Sequence, residues 1–203
     1  MSNRIDTVIF DLGNVLIGWD PRRLYRRLIA DEERMEWFLR EVCNSEWNEQ
    51  QDAGRPWTEA TALLRERFPE HAELIDAYHV HWKETLVGPI EGSVALLGEL
   101  RQRGVRLLAL TNWSNETFPV ARELYPFLQW FEGIVVSGEE RLVKPDPRIY
   151  QRLLQRYAVD PARALYIDDS ARNVAAAEAL GMRGWLFRNP DGLRSALAEL
   201  ELL

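Results

Sequence analysis

Five polar side chains in this chain follow short apolar runs, at places where a parallel sheet would bring them to one edge. Asp11 ends the run Thr7-Val-Ile-Phe10, with Gly13 and Asn14 just after it. Thr111 follows Leu108-Ala-Leu110 and precedes Asn112. Lys144 closes the loop after Ile134-Val-Val136, and Asp168-Asp169 follows Leu165-Tyr-Ile167. Each has an ordinary explanation by itself. Asp, Gly and Asn are turn residues, Asp, Thr and Ser cap helices, and a loop lysine is commonly solvated. Together they make three carboxylates, one hydroxyl and one ammonium. Carboxylates gathered at one edge repel one another unless a cation sits between them. Carboxylate oxygens suit Mg²⁺. A hydroxyl, backbone amides and a lysine beside such a cation make a cradle for a phosphoryl group.

The elements that must position these groups alternate from Gly88 onward. The pattern predicts a helix over 93–103 closed by Gly104, a strand over 105–110 and a helix over 116–124. A strand over 134–136 leads into a loop, and Asp146-Pro147 starts a helix to about Tyr157. Strands over 164–167 and 184–187 and helices over 172–180 and 193–200 complete the series. Such alternation specifies a parallel sheet with helices on both faces. The strand ending at Phe10 must join that sheet, because alone it leaves its backbone unpaired. Residues 17–88 read as helices throughout: one opened by Asp20-Pro21, one over 31–42, one capped by Thr58 and one over 69–86. The expected architecture is therefore α/β, with a parallel-sheet core of residues 1–16 and 89–203 and an inserted helical module at 17–88. In open α/β sheets the carboxyl ends of the strands are where ligands bind.

The chain has 203 residues, 46% apolar and 28% charged, as expected of a globular protein. Its net charge of -7 disfavours nucleic acid or an anionic membrane as partner. The single cysteine, Cys43, excludes an intrachain disulfide and fits a reducing compartment. The first residues run directly into a strand, which leaves no room for a signal peptide, and no apolar run approaches a membrane span. A cytoplasmic location is expected. His79-Val-His81 invites a metal reading, but residues two apart on a helix face apart, so packing is favoured. Trp113 follows the Thr111-Asn112 loop and suits either a pocket wall or the core.

The segments that carry these groups resemble motifs of the haloacid dehalogenase-like (HAD) hydrolase superfamily. Phe10-Asp-Leu-Gly-Asn-Val-Leu16 resembles the first motif, Leu110-Thr-Asn112 the second and Val143-Lys-Pro-Asp-Pro147 the third. Tyr166-Ile-Asp-Asp-Ser-Ala-Arg-Asn173, with the Ala-rich helix to Gly181-Met182, resembles the fourth. The resemblance covers essentially the whole chain and implies a Rossmann-like HAD core, with the helical cap at the position of residues 17–88. It further implies that Asp11 is a nucleophile forming an aspartyl phosphate. It implies that Asp11, the Gly13 carbonyl and Asp169 with Asp168 beside it bind Mg²⁺. Thr111 and the Asn112 amide would hold the transferred group, and Lys144 would neutralise charge on Asp11 and the phosphate. The implied partner is a small phosphorylated molecule.

Position 13 departs from the family pattern. Family phosphatases usually carry a second Asp two residues after the nucleophile, which protonates the leaving alcohol. Here Gly13 has no side chain, and general acid-base help is worth roughly 10²- to 10⁴-fold. One reading keeps the phosphatase activity with a better leaving group, as in the helical-cap branch carrying Phe-Asp-Leu-Gly-Asn-Val, which includes glucose-1-phosphate phosphatase. A cap residue or Asp20 could supply the proton instead. A second reading is a 2-haloacid dehalogenase, since halide leaves without a proton. That branch resembles a Ser-Ser-Asn pattern where this chain has Asp168-Asp169, and it needs no metal. A third is a non-catalytic phosphoryl- or partner-binding module.

Overall fold

The computed structural model describes residues 4–203. Strand β1 (Thr7–Phe10) is buried along its whole length and runs through a tight turn into β2 (Ile17–Trp19). Five helices follow: α1 (Arg22–Leu28), α2 (Glu32–Glu41), α3 (Ser45–Asp52), α4 (Trp57–Arg67) and α5 (Ala72–Val80). The chain returns through β3 (Leu86–Pro89). Then come α6 (Glu91–Gln102), β4 (Arg106–Thr111), α7 (Phe118–Leu124), β5 (Gly133–Val136) and α8 (Ser137–Glu140). The last elements are α9 (Pro147–Arg156), β6 (Ala164–Asp168), α10 (Ala171–Glu178), β7 (Arg183–Leu186) and α11 (Pro190–Glu199).

The main sheet is parallel, in the order β5-β4-β1-β6-β7. Its register fixes the site. Phe10 lies opposite Ala109 on one side and Ile167 on the other, so Asp11, Thr111 and Asp168 leave the sheet at the same edge. Alternation along each strand divides the core into two layers. Val8, Phe10, Leu107, Ala109, Leu165 and Ile167 pack on one face with Leu96, Leu97 and Leu100 of α6 and Leu193 and Leu197 of α11. Ile9, Leu108, Leu110 and Tyr166 pack on the other with Ile149, Tyr150 and Leu153 of α9. Burial on both faces explains why these strands read as continuous apolar runs.

The stretch between β1 and α6 is helical except at its two ends, where the expectation of no strand is corrected. β2 and β3 pair antiparallel as a two-stranded ribbon, with Gly18 opposite Gly88. Both strands are short and interrupted by glycine, and β3 ends on Pro89, so each reads locally as a turn. Pairing across some seventy residues of chain satisfies their backbones, and no local pattern reports such a pairing. Helix α3 was not expected either. Of its buried or half-buried side chains, Trp47, Asn48, Glu49, Gln51 and Asp52, only Trp47 is apolar, so it shows little apolar periodicity. Its start is nonetheless encoded, because Asn44 accepts a hydrogen bond from the Trp47 amide at 2.8 Å. The expected loop after β5 begins instead with the helical turn α8. Thr58 lies inside α4 rather than capping it, and the Trp57 amide at its start is taken by Glu116 Oε1 at 3.1 Å.

The insertion has an aromatic interior. Trp57 stacks on Tyr78 at 5.5 Å and on His79 at 5.2 Å, and Tyr25 packs against Phe38 at 4.9 Å. The two histidines do not converge on a metal site, because His79 stacks on Trp57 while His81 Nδ1 lies 3.0 Å from Glu84. Trp57 also reaches the sheet's loops, donating from Nε1 to Ser114 Oγ at 3.2 Å. Removing a fully buried indole leaves a cavity and an unmade hydrogen bond. Trp57→Ala is expected to lower stability by about 3–5 kcal/mol, measured by urea unfolding. A loss below about 1 kcal/mol would mean that the insertion does not depend on this contact.

Candidate active site

Lys144 is the group around which the strand edge is assembled. It is 1% exposed, and its Nζ meets Asp11 Oδ1 at 2.9 Å, Asp168 Oδ2 at 2.8 Å and the Leu110 carbonyl at 3.2 Å. Those three acceptors match the three donors of an ammonium. Burial alone would lower the Lys144 pKa, but Asp11 and Asp168 overcome this and raise it, so the group stays charged. The main chain at Lys144 is fixed by a two-point clamp from Asn112. Asn112 Oδ1 accepts from the Lys144 amide at 2.8 Å, and its Nδ2 donates to the Lys144 carbonyl at 3.1 Å. The Asn112 side chain is thereby committed, which leaves its backbone amide for any ligand. Thr111, at the end of β4, is buried, and among the described residues its hydroxyl makes no hydrogen bond.

The three carboxylates are not equivalent. Asp168 is fully buried and accepts from four donors: Lys144 Nζ, Tyr166 Oη at 2.6 Å, the Ser170 amide at 2.8 Å and Asn173 Nδ2 at 3.0 Å. Burial opposes its charge, but the Lys144 ammonium and these hydrogen bonds prevail and hold its pKa below the usual carboxylate range. Asp11 uses Oδ1 for the Leu12 amide at 2.7 Å and for Lys144. Its Oδ2 has no donor among the described residues. Burial pushes the Asp11 carboxyl up to about 7 against the pull of Lys144, with Asp168 and Asp169 adding repulsion. Burial and the Asp168 charge likewise raise Asp169.

Carboxylate oxygens of Asp11, Asp168 and Asp169 lie within 4.8 Å of one another. Three carboxylates share a single ammonium there, so their mutual repulsion adds to the upward push of burial at Asp11 and Asp169. This hard-oxygen donor set fits a small divalent cation. The two carboxylates not saturated by protein donors, Asp11 and Asp169, are the ones with oxygens to spare.

A cavity of about 420 Å³ opens above this edge. The sequence-predicted residues Asp11, Gly13, Asn112 and Asp169 line it, whereas Thr111, Lys144 and Asp168 lie beneath its wall. Trp113 both lines the cavity and packs in the core against Trp82 at 5.7 Å. Much of the remaining lining was not anticipated. Trp19 comes from β2, Trp82 from the turn before β3, and Ser45, Asn48, Glu49 and Asp52 from α3. Arg172 of α10 pairs with Glu49 at 2.7 Å and ties the insertion to the core across the cavity. The Asn44 cap was the one local signal that could have pointed to the α3 group.

Comparison with known proteins agrees with this geometry. The model of the haloacid dehalogenase-like hydrolase family matches residues 5–181. The chain is 28% identical to a sesquiterpene phosphatase of Aspergillus oryzae over 91% of its own length and 90% of that protein. It is also 28% identical to (S)-2-haloacid dehalogenase 1 of a Pseudomonas species, over 58% of this chain and 49% of that one. Other relatives are longer still: the chain spans 44% of the mouse haloacid dehalogenase-like hydrolase domain-containing protein 3. Among solved structures it resembles a HAD family enzyme of Bacteroides thetaiotaomicron, described as a complex with magnesium and inorganic phosphate. That likeness has a TM-score of 0.70 and 25% identity, over 91% of this chain and 95% of that one. Among the described residues, no helix is long and apolar enough to cross a membrane. With its fold, its strand-edge cluster and the family model all in agreement, this chain belongs to the haloacid dehalogenase-like hydrolases.

Proposed function

We propose that the chain is a Mg²⁺-dependent phosphomonoesterase for a small metabolite, a sugar phosphate being favoured, working through an aspartyl phosphate on Asp11. The observation that carries this reading is the buried Asp11–Lys144–Asp168 cluster, with Asp169 beside it, at the floor of a cavity sized for a small molecule. Asp11, Asp169 and the Gly13 carbonyl would hold the cation, and the saturated Asp168 would orient Lys144 rather than ligate. When bound, the cation supplies positive charge against the phosphate and the carboxylates, without which two anions do not approach. Asp11 Oδ2 attacks phosphorus. Lys144 holds Asp11 through Oδ1 and offsets its charge. The Thr111 hydroxyl and the Asn112 amide bind the equatorial oxygens of the transferred group. Residues 1–16 and 89–203 act as the core and 17–88 as the cap, with the β2–β3 ribbon at the two junctions.

The lining supports a sugar moiety, since tryptophan faces stand beside Asn48, Glu49 and Asp52, which can bond hydroxyls. A second reading within the same chemistry takes an apolar alcohol. Trp19, Trp82 and Trp113 supply an apolar wall, and the relative matched over nine-tenths of this chain is named a sesquiterpene phosphatase. The dehalogenase reading is disfavoured despite the (S)-2-haloacid dehalogenase relative, because displacing halide calls for no cation-binding carboxylates. The non-catalytic reading is disfavoured because the proposed nucleophile, ammonium and metal carboxylates are all in place.

Mg²⁺-dependent phosphate release is expected against a panel of sugar phosphates, nucleotides and prenyl monophosphates, and Asp11→Asn is expected to abolish it. The absence of turnover of every compound in the presence of Mg²⁺ would sink the proposal. Release of halide from 2-chloropropionate without metal would replace it with the dehalogenase reading. The metal-free protein should also show a particular pH dependence. The folded Asp11 carboxyl sits at about 7 against an ordinary value of 3.8, so the native state holds more protons between those limits. Stability should therefore fall as pH rises through that window. Added Mg²⁺ should raise the melting temperature more at about pH 8 than at about pH 5, because it replaces the missing proton. Equal shifts at both pH values would show that the cation does not bind at this cluster.

A further inference from the structure

The cavity holds a carboxylate that does not come from the strand edge. Asp52 ends α3 and lines the same space as Asp11 and Gly13. Resting on the phosphomonoesterase reading above, we infer that Asp52 is the general acid and base of this enzyme, filling from the insertion the role left empty at Gly13.

The other acidic residues near the site are occupied or misplaced. Glu49 is paired with Arg172 at 2.7 Å, and Glu46, although it lines the cavity, is exposed to solvent in the first turn of α3. Asp168 is saturated by its four donors, and Asp169 belongs to the cation cluster. Asp20, the alternative considered from the sequence, accepts from the Arg22 amide at 3.0 Å and does not line this cavity. Asp52 is half-buried, and no lysine or arginine pairs with it among the described residues. Its one side-chain donor is Asn48 Nδ2, at 3.2 Å from Oδ2, and the Ser114 backbone is its other hydrogen-bonding neighbour. The charged groups facing it are Glu46 and Glu49 on its own helix, Asp11 and Lys144 at the sheet edge, and Asp169 and Arg172 on the cavity wall. Burial pushes the Asp52 carboxyl up to about 7 and Glu49 adds to this, while the Ser114 backbone and Lys144 pull the other way. A carboxyl in that range exchanges protons near neutrality, as an acid that becomes a base must.

Its position is fixed from several directions. The Asp52 carbonyl accepts from Ser137 Oγ at 2.5 Å, and the same oxygen of Ser137 accepts from the Trp113 amide at 2.8 Å. The end of α3 is thus tied to the loop that begins at Thr111-Asn112. Gly54 turns the chain two residues later at a positive φ of 95°, and a side chain there would strike the Gly138 carbonyl at 2.9 Å. Gln51, buried, bonds the Trp47 carbonyl at 2.6 Å and Arg55 Nε at 2.7 Å and closes the helix end.

The proposed sequence balances. Asp11 forms its bond to phosphorus as the phosphorus–oxygen bond to the leaving group breaks. The bonding pair departs with that oxygen, which takes the Asp52 proton and leaves as an alcohol. A water then attacks the phosphorus of the aspartyl phosphate and gives its proton to the Asp52 carboxylate. The bond to Asp11 breaks, releasing phosphate and restoring both carboxyl groups to their starting states.

A series of leaving groups tests this in the Mg²⁺-loaded full chain. An acidic phenol departs without a proton and an alkoxide does not. Asp52→Asn is therefore expected to lower kcat/KM by about 10²-fold or more for an alkyl phosphate and to leave kcat/KM for p-nitrophenyl phosphate almost unchanged, while kcat falls for both because the aspartyl phosphate has lost its base. Position 13 provides a second variant, because a Cβ built there meets nothing within 4 Å. Gly13→Asp is expected to restore alkyl phosphate turnover in the Asp52→Asn background. Equal losses of kcat/KM on both substrates, or no loss on either, overturn the inference while the phosphatase reading stands. If the wild-type protein turns over neither substrate, both fall.

Discussion

A buried ammonium held between two carboxylates is the constraint on which this strand edge depends. Lys144 could not remain charged at 1% exposure without Asp11 and Asp168, and neither carboxylate could be buried there without it. Taking one partner away from such a group leaves an uncompensated charge in the interior, which is far costlier than losing a surface pair. The parallel register of β1, β4 and β6 brings the groups together, and Asn112 fixes the backbone from which Lys144 reaches in. With Asp169 beside it, the cluster sets three carboxylates against one ammonium and is two positive charges short. That shortfall suits the edge to a divalent cation, whose charge would in turn offset that of an anionic ligand.

The division of labour between Asp168 and Asp169 follows from hydrogen-bond capacity rather than from their adjacency. Four donors fill the oxygens of Asp168 and lower its pKa, so it behaves as a fixed part of the scaffold. Asp169, one residue on, is past the end of β6, lines the cavity and is pushed up by burial and by its neighbour's charge. The end of the strand at Asp168 puts two identical side chains into different environments, one buried and one lining the cavity, and their chemistry diverges accordingly.

The sheet and its edge were legible in the sequence because both are written locally. Apolar runs ending on Asp11, Thr111 and Asp168 give the strands, and Gly104 and Asp146-Pro147 punctuate the helices between them. Two kinds of feature were not legible. The β2–β3 ribbon pairs residues far apart in the chain and uses glycine at its centre, so neither half announces itself. Helix α3 carries polar residues toward the cavity where an amphipathic helix would carry apolar ones, so periodicity fails just where function intrudes. The sequence did reveal what was missing at Gly13. It could not reveal where a replacement would come from, because the answer lies in which residues of the insertion face the edge.

That separation has a mechanical consequence. When the proton donor sits two residues after the nucleophile, the sheet edge alone is a complete catalyst. With the donor on α3, chemistry requires the insertion to be seated on the core. The contacts across the divide then become part of the catalytic apparatus: Ser137 to the Asp52 carbonyl, Trp57 to Ser114, and Arg172 to Glu49. Two of them attach to residues at or just beyond the Thr111-Asn112 loop, either directly at Ser114 or through the Trp113 amide. Seating of the insertion and shaping of the Thr111-Asn112 loop are therefore one structural event. A substrate that wedges the insertion open would leave Asp11 and Lys144 intact and still lose its acid. Selection by fit and selection by chemistry would then act through the same interface, which gives the insertion a reason to be rigid at α3 and free to vary elsewhere.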